Sequence, residues 1–184
     1  KTALVRGVAR GLGYDGRVHP DIPPRLGRWM VAAVKGWTTK GLILSGAVGV
    51  GKTMFFDKVL RALYDRFVLW RASQIVEFAA TQRENFEEVC YGRYEDQNVF
   101  SEAVLAIDDL GDEPHGNVYG NKGEVLARVI CDRYETWKRR GIRCFVSTNL
   151  TMPEIAARYG DRIGDRLGEM CYAIRLNGQS ARGK

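Results

Sequence analysis

A glycine-rich run carries the strongest chemical signal in the sequence. It is a complete GxxxxGK(S/T) pattern, formed by Gly46, Ala47, Val48, Gly49, Val50, Gly51, Lys52 and Thr53. Glycines let a backbone curl so that successive N–H groups face one anion, and a helix N-terminus adds its dipole and unpaired donors. In such a loop the lysine reaches the β- and γ-phosphates, and the hydroxyl binds Mg²⁺. The run therefore predicts a Walker A loop that binds ATP with Mg²⁺.

A chance match is the alternative explanation, because the chain holds 21 glycines. The context of the run argues against chance. An apolar segment at 42–44 precedes it, and the segment that follows carries Phe55, Val59, Leu60 and Leu63 on one helical face. A strand, a glycine-rich turn and a helix, in that order, are what a phosphate-binding loop requires.

Two neighbouring aspartates follow another apolar run, which predicts a buried strand at 104–107. Ligands of open α/β sheets lie at the carboxyl ends of the strands, so Asp108 and Asp109 are expected beside the loop. We expect Asp108 to hold Mg²⁺ through water, as a Walker B aspartate does, and Asp109 to polarise the attacking water. An acidic turn after a buried strand is the alternative. Glu113 is a weaker acidic candidate.

Strands and helices must alternate to position these residues. Apolar runs predict strands at 42–44, 67–70, 104–107, 144–147 and 172–176. Helical spacing predicts helices from Pro24, from Lys52 to about Tyr64, from Ser73, from Glu124 to Arg140 and from Pro153, with a short helix and a loop within 84–98. Strands that are apolar throughout suit burial on both faces. The alternation therefore predicts an α/β fold with a five-stranded parallel sheet flanked by helices.

The 184 residues fit one domain, which we divide into a leader and N-terminal helix at 1–36 and a core at 37–184. The net charge of +6 fits a nucleic-acid partner, but many proteins without one share it. The four cysteines form no CxxC pair and indicate a reduced, cytoplasmic protein. No apolar run approaches the roughly 18 residues of a membrane span, so no membrane partner is expected.

Several segments together resemble one family. Residues 107–113 read Ile-Asp-Asp-Leu-Gly-Asp-Glu and resemble the IDDLGxE signature of the DnaC/IstB-type ATPases. These are AAA+ proteins that load replicative helicases or assist transposases. Similar matches are the Arg-Tyr pair at 133–134, the sensor 1 segment at 147–150, the YGxRxxxRL box at 159–167 and the GxSxR segment at 178–182. The resemblance implies a P-loop NTPase AAA+ core without a full C-terminal helical lid.

The resemblance also implies roles by position. Asn149 would contact the γ-phosphate or orient the water, and Arg182 would touch phosphate in cis. Arg166 would be an arginine finger that reaches the nucleotide of a neighbouring subunit in an oligomer or filament, with Arg162 as the fallback. Arg133 would lie at the subunit interface. A strand-end turn for Asn149 and an ordinary surface position for Arg166 are the alternatives.

Basic and aromatic residues outside this site suggest contact with DNA. Lys138, Arg139 and Arg140 end a predicted helix, with Arg143 just beyond, and helix capping explains them equally well. The segment 73–98 carries the aromatics Phe78, Phe86, Tyr91 and Tyr94, for which stacking on DNA bases and core packing are the two alternatives, with core packing favoured for Phe78. Arg71 and Arg83 are weaker candidates for contacts with phosphate.

Four functions remain open. The first is a helicase loader: a slow ATPase, stimulated by assembly or by single-stranded DNA, that delivers a replicative helicase. The second is an IstB-like transposition helper that acts on duplex DNA with a transposase. The third is an assembly switch with little hydrolysis, since Asp109 stands where many AAA+ proteins carry glutamate. An unrelated P-loop kinase is disfavoured by the Asp108–Asp109 pair and by Asn149.

Overall fold

The computed structural model describes residues 24–81, 103–113 and 122–177. Its strands are β1 (Gly41–Ser45), β2 (Phe67–Arg71), β3 (Val104–Leu110), β4 (Cys144–Thr148) and β5 (Cys171–Arg175). Its helices are α1 (Pro24–Val34), α2 (52–63), α3 (Ala72–Thr81), α4 (Lys122–Arg140), α5 (Met152–Tyr159) and α6 (Asp161–Met170). The five predicted strands are all present, each within a few residues of its expected bounds. The short helix and loop predicted within 84–98 lie outside the described residues.

The strands form one parallel sheet in the order β2-β3-β4-β1-β5. Strand β1 comes first in the sequence but lies between β4 and β5. All carboxyl ends of a parallel sheet share one edge, so the segments that follow β1, β3 and β4 are brought together. These are the segments with the predicted site residues.

Alternate strand residues face opposite layers of helices, because successive side chains of a strand point to opposite faces. Leu42 and Leu44 of β1 and Phe145 of β4 pack with α1 and α2. Ile43 and Val146, their neighbours, pack with the helices α3 to α6. Each side chain of this kind that is fully buried stabilises the fold by roughly 2 kcal/mol. The sheet is therefore covered on both faces, which explains its continuously apolar strands.

Two helices differ from the simple patterns that the sequence predicts. The middle of α2, Phe55–Leu60, is π-helical, and the Arg61 N–H bonds to the Phe56 carbonyl five residues back. The helix predicted from Pro153 breaks at Gly160, where φ is 98°, and α6 begins at the next residue. The helical spacing of apolar residues in α2 does not distinguish a π-helical turn from an α-helical one. In the second case, a single glycine is a weak signal for the end of a helix.

None of the described helices combines the length and the apolar character that crossing a bilayer requires.

Candidate functional site

The glycine-rich run forms the turn between β1 and α2, as predicted. Gly46, Gly49 and Gly51 have φ values of 145°, 84° and 92°, which side chains other than glycine rarely adopt. At Gly46 a Cβ atom would lie 2.4 Å from the Leu176 carbonyl oxygen. Glycine is therefore required there for two reasons, the backbone conformation and the close approach of the segment after β5. Thr53 lies in the first turn of α2.

Lys52 connects this loop to the end of β4. Its side chain is buried at 5% exposure, which an ammonium group tolerates only with hydrogen-bond acceptors around it. Its Nζ donates to the carbonyl oxygens of Gly46 at 2.6 Å and Ala47 at 3.0 Å. It also donates to Asn149 Oδ1 at 2.7 Å. The structure therefore brings Asn149 to the loop, where the resemblance placed it.

Ser147 holds both aspartates at the end of β3. Asp108 is buried at 1% exposure and accepts a hydrogen bond from the Ser147 hydroxyl. The same hydroxyl oxygen accepts from the Asp109 N–H at 2.9 Å. A serine hydroxyl both donates and accepts, so one side chain fixes the two neighbours. Sequence reasoning missed Ser147; its signal was its place in the segment that resembles sensor 1.

The two aspartates lie in an irregularity of β3. Ile107 pairs with Val146 and Leu110 with Thr148. Between these two pairs β3 has one more residue than β4, as in a β-bulge. Asp109 has a φ of 54°, a left-handed conformation that aspartate tolerates better than most residues. A bulge redirects side chains locally. It accounts for the different surroundings of the buried Asp108 and the half-buried Asp109.

Burial raises the pKa of Asp109 above its usual 3.8, and the negative charge of Asp108 raises it further. The positive charges of Lys52 and Arg71 oppose this shift. A carboxylate with a raised pKa accepts a proton more readily than an ordinary aspartate does. Burial and the charge of Asp108 thus favour a bound proton on Asp109, and Lys52 is close enough to oppose this effect. The role of Asp109 in polarising water stays a prediction.

Glu113 has partners on α5 rather than on the loop. It is buried at 3% exposure and forms an ion pair of 2.7 Å with Arg158. Its carboxylate also accepts from the Gly111 N–H at 3.0 Å and from the Tyr159 hydroxyl. Burial, and then the bond to Glu113, raise the pKa of Tyr159. The sequence suggests Glu113 as a weaker acidic candidate beside the phosphate loop. Its contacts in the structure are instead with α5 and with the turn that follows the aspartates.

Arg166 lies against α4 of its own chain. Its guanidinium stands 4.8 Å from the centroid of the Tyr134 ring and donates to Glu135 Oε1 at 3.3 Å. Its side chain is 14% exposed, whereas Arg162 on the same helix is exposed. None of these contacts is with the phosphate loop. Arg182 lies outside the described residues.

The expected interface position of Arg133 is wrong. This residue is buried inside the chain at 4% exposure and donates to the Ala103 carbonyl oxygen at 2.8 Å. Its position on the inner face of α4 ties that helix to the start of β3. A guanidinium buried at 4% exposure within its own chain is not presented to a neighbouring subunit.

The basic residues near the end of α4 are partly used within the chain. Lys138 bonds to Glu169 at 2.9 Å, and Arg143 donates to the Tyr64 hydroxyl at 3.2 Å and to a backbone carbonyl. Arg139 and Arg140 are exposed. Arg139 Nε also donates to the Glu135 carbonyl oxygen one turn back at 3.4 Å, so contacts within the chain are not confined to Lys138 and Arg143, and the DNA-facing role of this group stays a prediction.

The aromatic segment is described only in part. Phe78 packs edge-on against Trp70 at 5.2 Å, in agreement with core packing. Arg71 is exposed at the end of β2. Arg83 and the aromatics Phe86, Tyr91 and Tyr94 lie outside the described residues.

Solved structures share this fold. The DnaC helicase loader aligns with a TM-score of 0.61 at 18% identity, over 82% of this chain and 90% of that one. DnaI aligns with a TM-score of 0.60 at 20% identity, over 82% of each chain. The replication initiator DnaA bound to AMPPCP and single-stranded DNA aligns with a TM-score of 0.63 at 13% identity, over 90% of this chain and 51% of that one.

No protein-family model and no curated sequence matches this chain. The structural likenesses, at such low identities, establish the fold and not the activity. The fold is the predicted α/β fold with a five-stranded parallel sheet flanked by helices, shared with these structures, and it agrees with the resemblance of the sequence motifs to the DnaC/IstB-type proteins.

Proposed function

We propose that the chain is an ATPase of helicase-loader type, which assembles on single-stranded DNA and delivers a replicative helicase. The observation that carries this proposal is the meeting of Lys52, the phosphate loop and Asn149 at one edge of the sheet. This edge also carries the aspartates that Ser147 fixes. An NTPase needs a cationic loop, a metal carboxylate and a polar group for water at one place, and all three are supplied here.

The residues fit ATP with Mg²⁺ as the bound group. The positive φ values of Gly46, Gly49 and Gly51 curl the backbone as an anion cradle requires. Thr53 offers a hydroxyl and Asp108 a buried carboxylate, and hard oxygen ligands of this kind suit Mg²⁺. The cation would neutralise charge on the β- and γ-phosphate oxygens when bound.

The remaining steps belong to the side chains of this chain. Lys52 presents its ammonium group to the phosphates, which move it away from the carbonyl oxygens it now contacts. Asp109 orients the attacking water and accepts its proton, helped by its raised pKa. Asn149, beside Lys52, orients the water or the γ-phosphate through its amide.

Arg166 completes the site of a neighbouring subunit in this proposal. An arginine at the transferring phosphoryl group stabilises charge that develops in the transition state. To reach a neighbour, Arg166 must leave the face of Tyr134 and its bond to Glu135, which are weak, partly exposed contacts. Arg139 and Arg140, whose side chains are exposed at the end of α4, would contact the DNA backbone in this proposal.

The likeness to the DnaC helicase loader, and to DnaA bound to single-stranded DNA, supports replication over other AAA+ roles. An IstB-like helper that acts on duplex DNA with a transposase would use the same core. The choice between the two therefore depends on the preferred DNA. An assembly switch would bind ATP and assemble with little turnover.

The test is ATP turnover per subunit across a range of protein concentrations, with single-stranded or duplex DNA, for the native chain and Arg166→Ala. Arg28→Ala is the control, since Arg28 is exposed on α1, in the layer on the other face of the sheet. We expect turnover to rise with concentration and with single-stranded DNA, and only Arg166→Ala to remove the rise while ATP still binds.

Each other outcome names a different function. Stimulation by duplex DNA alone would identify the transposition helper. Tight ATP binding and assembly without turnover would identify the switch. If ATP turnover per subunit does not change with protein concentration, with DNA or with Arg166→Ala, an active site shared between subunits is refuted.

A further inference from the structure

The buried carboxylate of Glu113 lies between helix α5 and the turn from Asp109 to Gly111, which we call the aspartate turn. Glu113 receives donors from both sides: the Gly111 N–H on Oε2, and the Arg158 guanidinium and Tyr159 hydroxyl on Oε1. Arg158 also donates to the Glu113 backbone carbonyl at 3.0 Å. A buried charge is tolerated only when it is paired and hydrogen-bonded in this way. The carboxylate is therefore fixed in one position, together with the two segments it contacts.

The first segment contains the proposed water-polarising residue. The turn from Asp109 to Gly111 is held against β4 by the Thr148 hydroxyl, which donates to the Leu110 carbonyl at 2.6 Å. It also packs closely on Leu150, whose Cδ1 atom would lie 2.6 Å from a Cβ atom at Gly111. Glu113 adds the bond to the Gly111 N–H, two residues from Asp109. The orientation of the Asp109 carboxylate thus depends on a turn that Glu113 helps to fix.

The second segment leads to the proposed arginine finger. Arg158 and Tyr159 form the last turn of α5, directly before the break at Gly160. Helix α6 begins after that break and carries Arg166. Gly160 alone separates α6 from Tyr159, and Tyr159 is bonded to Glu113, so the chain connects α6 to the Glu113 carboxylate by a short path.

We infer that Glu113 is a positioning residue that couples the helix pair α5–α6 to the aspartate turn. Its carboxylate sets the orientation of Asp109 according to the position of the helices that would contact a neighbouring subunit. The catalytic part of this inference rests on the proposed function. The mechanical part, which is the joint between the two segments, does not.

Two variants weaken the joint to different degrees. In Glu113→Gln the amide has one acceptor oxygen for donors that now use two, so at least one of Gly111, Arg158 and Tyr159 loses its partner. Tyr159→Phe removes one hydroxyl and keeps the ion pair between Glu113 and Arg158. It therefore allows the test to be made even if Glu113→Gln does not fold. Glu154→Gln is the matched control. Glu154 lies on the same helix, but its carboxylate caps the Thr151 end and does not contact the aspartate turn.

Two measurements test the inference. The first is hydrogen exchange without nucleotide, where we expect Glu113→Gln and Tyr159→Phe to speed exchange in both 107–113 and 158–164. Glu154→Gln should speed exchange only near 151–156. The second is steady-state kinetics of the assembled protein, where we expect kcat to fall about ten-fold in Glu113→Gln and less in Tyr159→Phe, with an unchanged KM for ATP.

The outcomes separate the inference from the proposed function. A native chain without ATP turnover would overturn the proposed function, while joint exchange in the two segments would still support the coupling. Faster exchange in 158–164 alone would overturn the coupling even if the native chain is an active ATPase. A kcat equal to that of the native chain in both variants would overturn the catalytic part of the inference. So would parallel losses of kcat and ATP affinity.

Discussion

Lys52 Nζ lies 2.7 Å from Asn149 Oδ1, although 97 positions separate the two residues in the chain. The lysine begins α2 and the asparagine directly follows β4, so the contact joins the segments that follow two neighbouring strands, β1 and β4. The same ammonium group also donates to the loop carbonyl oxygens of Gly46 and Ala47, so Asn149 and the loop are both hydrogen-bonded to Lys52. Removal of the asparagine should therefore affect the chemistry more than the binding.

We expect Asn149→Ala to lower kcat about 100-fold, the lower end of the loss that follows removal of one hydrogen-bond donor at the reacting centre. The Kd for a non-hydrolysable ATP analogue should change by less than about three-fold, since the loop and Lys52 remain. Calorimetric titration and steady-state kinetics measure the two quantities. Asn177→Ala, an exposed asparagine after β5, is the control. Equal losses of binding and turnover would contradict a sensor role.

Ser147→Ala should reduce both turnover and stability. The variant leaves the Asp109 N–H without its acceptor and the buried Asp108 without the hydroxyl donor. Unpaired buried groups cost about 1–3 kcal/mol, which denaturant unfolding would detect. The control is Ser73→Ala, at an exposed serine of α3. An active Ser147→Ala protein of native stability would show that the hydroxyl does not fix the aspartates.

The raised pKa of Asp109 predicts an unusual dependence of stability on pH. The folded protein keeps a proton on Asp109 at a pH where the unfolded chain has lost it, so the ionised carboxylate destabilises the fold at neutral pH. This destabilisation disappears as the pH falls through the folded-state pKa, above 3.8. We expect Asp109→Asn to be inactive and to have a higher Tm than the native chain at about pH 7.5, with the difference shrinking in acid.

Glu154 provides the control of opposite sign. Backbone and side-chain bonds from Thr151 lower the pKa of Glu154, so its contribution is present at neutral pH and lost in acid. Glu154→Gln should therefore have a lower Tm than the native chain at neutral pH, and again the difference should shrink in acid. Thermal melts of the three proteins across this pH range would decide. A lower Tm for Asp109→Asn at neutral pH would refute the destabilisation assigned to the ionised carboxylate of Asp109.

Two glycine substitutions should have opposite effects. Gly46→Ala places a methyl group 2.4 Å from the Leu176 carbonyl in a backbone conformation that alanine avoids. We expect a stability loss of at least about 1–3 kcal/mol and no ATP-induced rise in Tm. Gly168→Ala, in α6, meets no described atom within 4 Å and should stabilise the helix by about 0.5–1 kcal/mol. Normal ATP binding by Gly46→Ala would contradict the need for glycine at the turn.

The fold and the loop were predictable because their signals are local. Apolar runs, helical spacing and the glycine pattern each occupy a few consecutive residues, and these predicted the five strands and the turn before α2. Their meeting at one edge then followed from parallel strands alone. The roles of Asn149 and Arg166 came from resemblance rather than from local pattern, and they remain predictions.

The remaining details depend on contacts between distant residues. Ser147 bonds to Asp108 and Asp109 at separations of 39 and 38 positions, and Tyr159 bonds to Glu113 at 46. No local pattern reports such pairs. The burial of Arg133 was missed for the same reason, since its acceptor is Ala103, 30 positions away.

The place of β1 in the sheet has a consequence for synthesis on the ribosome. A nascent chain that has emerged only as far as α4 contains the whole phosphate loop, yet β1 still lacks both of its neighbours, β4 and β5. Before residue 144 is made, both edges of β1 are open, and only when residue 176 has been made can the loop contact both Asn149 and Leu176. Parallel pairing over such separations is slow and leaves strand edges exposed. The early chain is therefore the stage at which a holding chaperone would matter most.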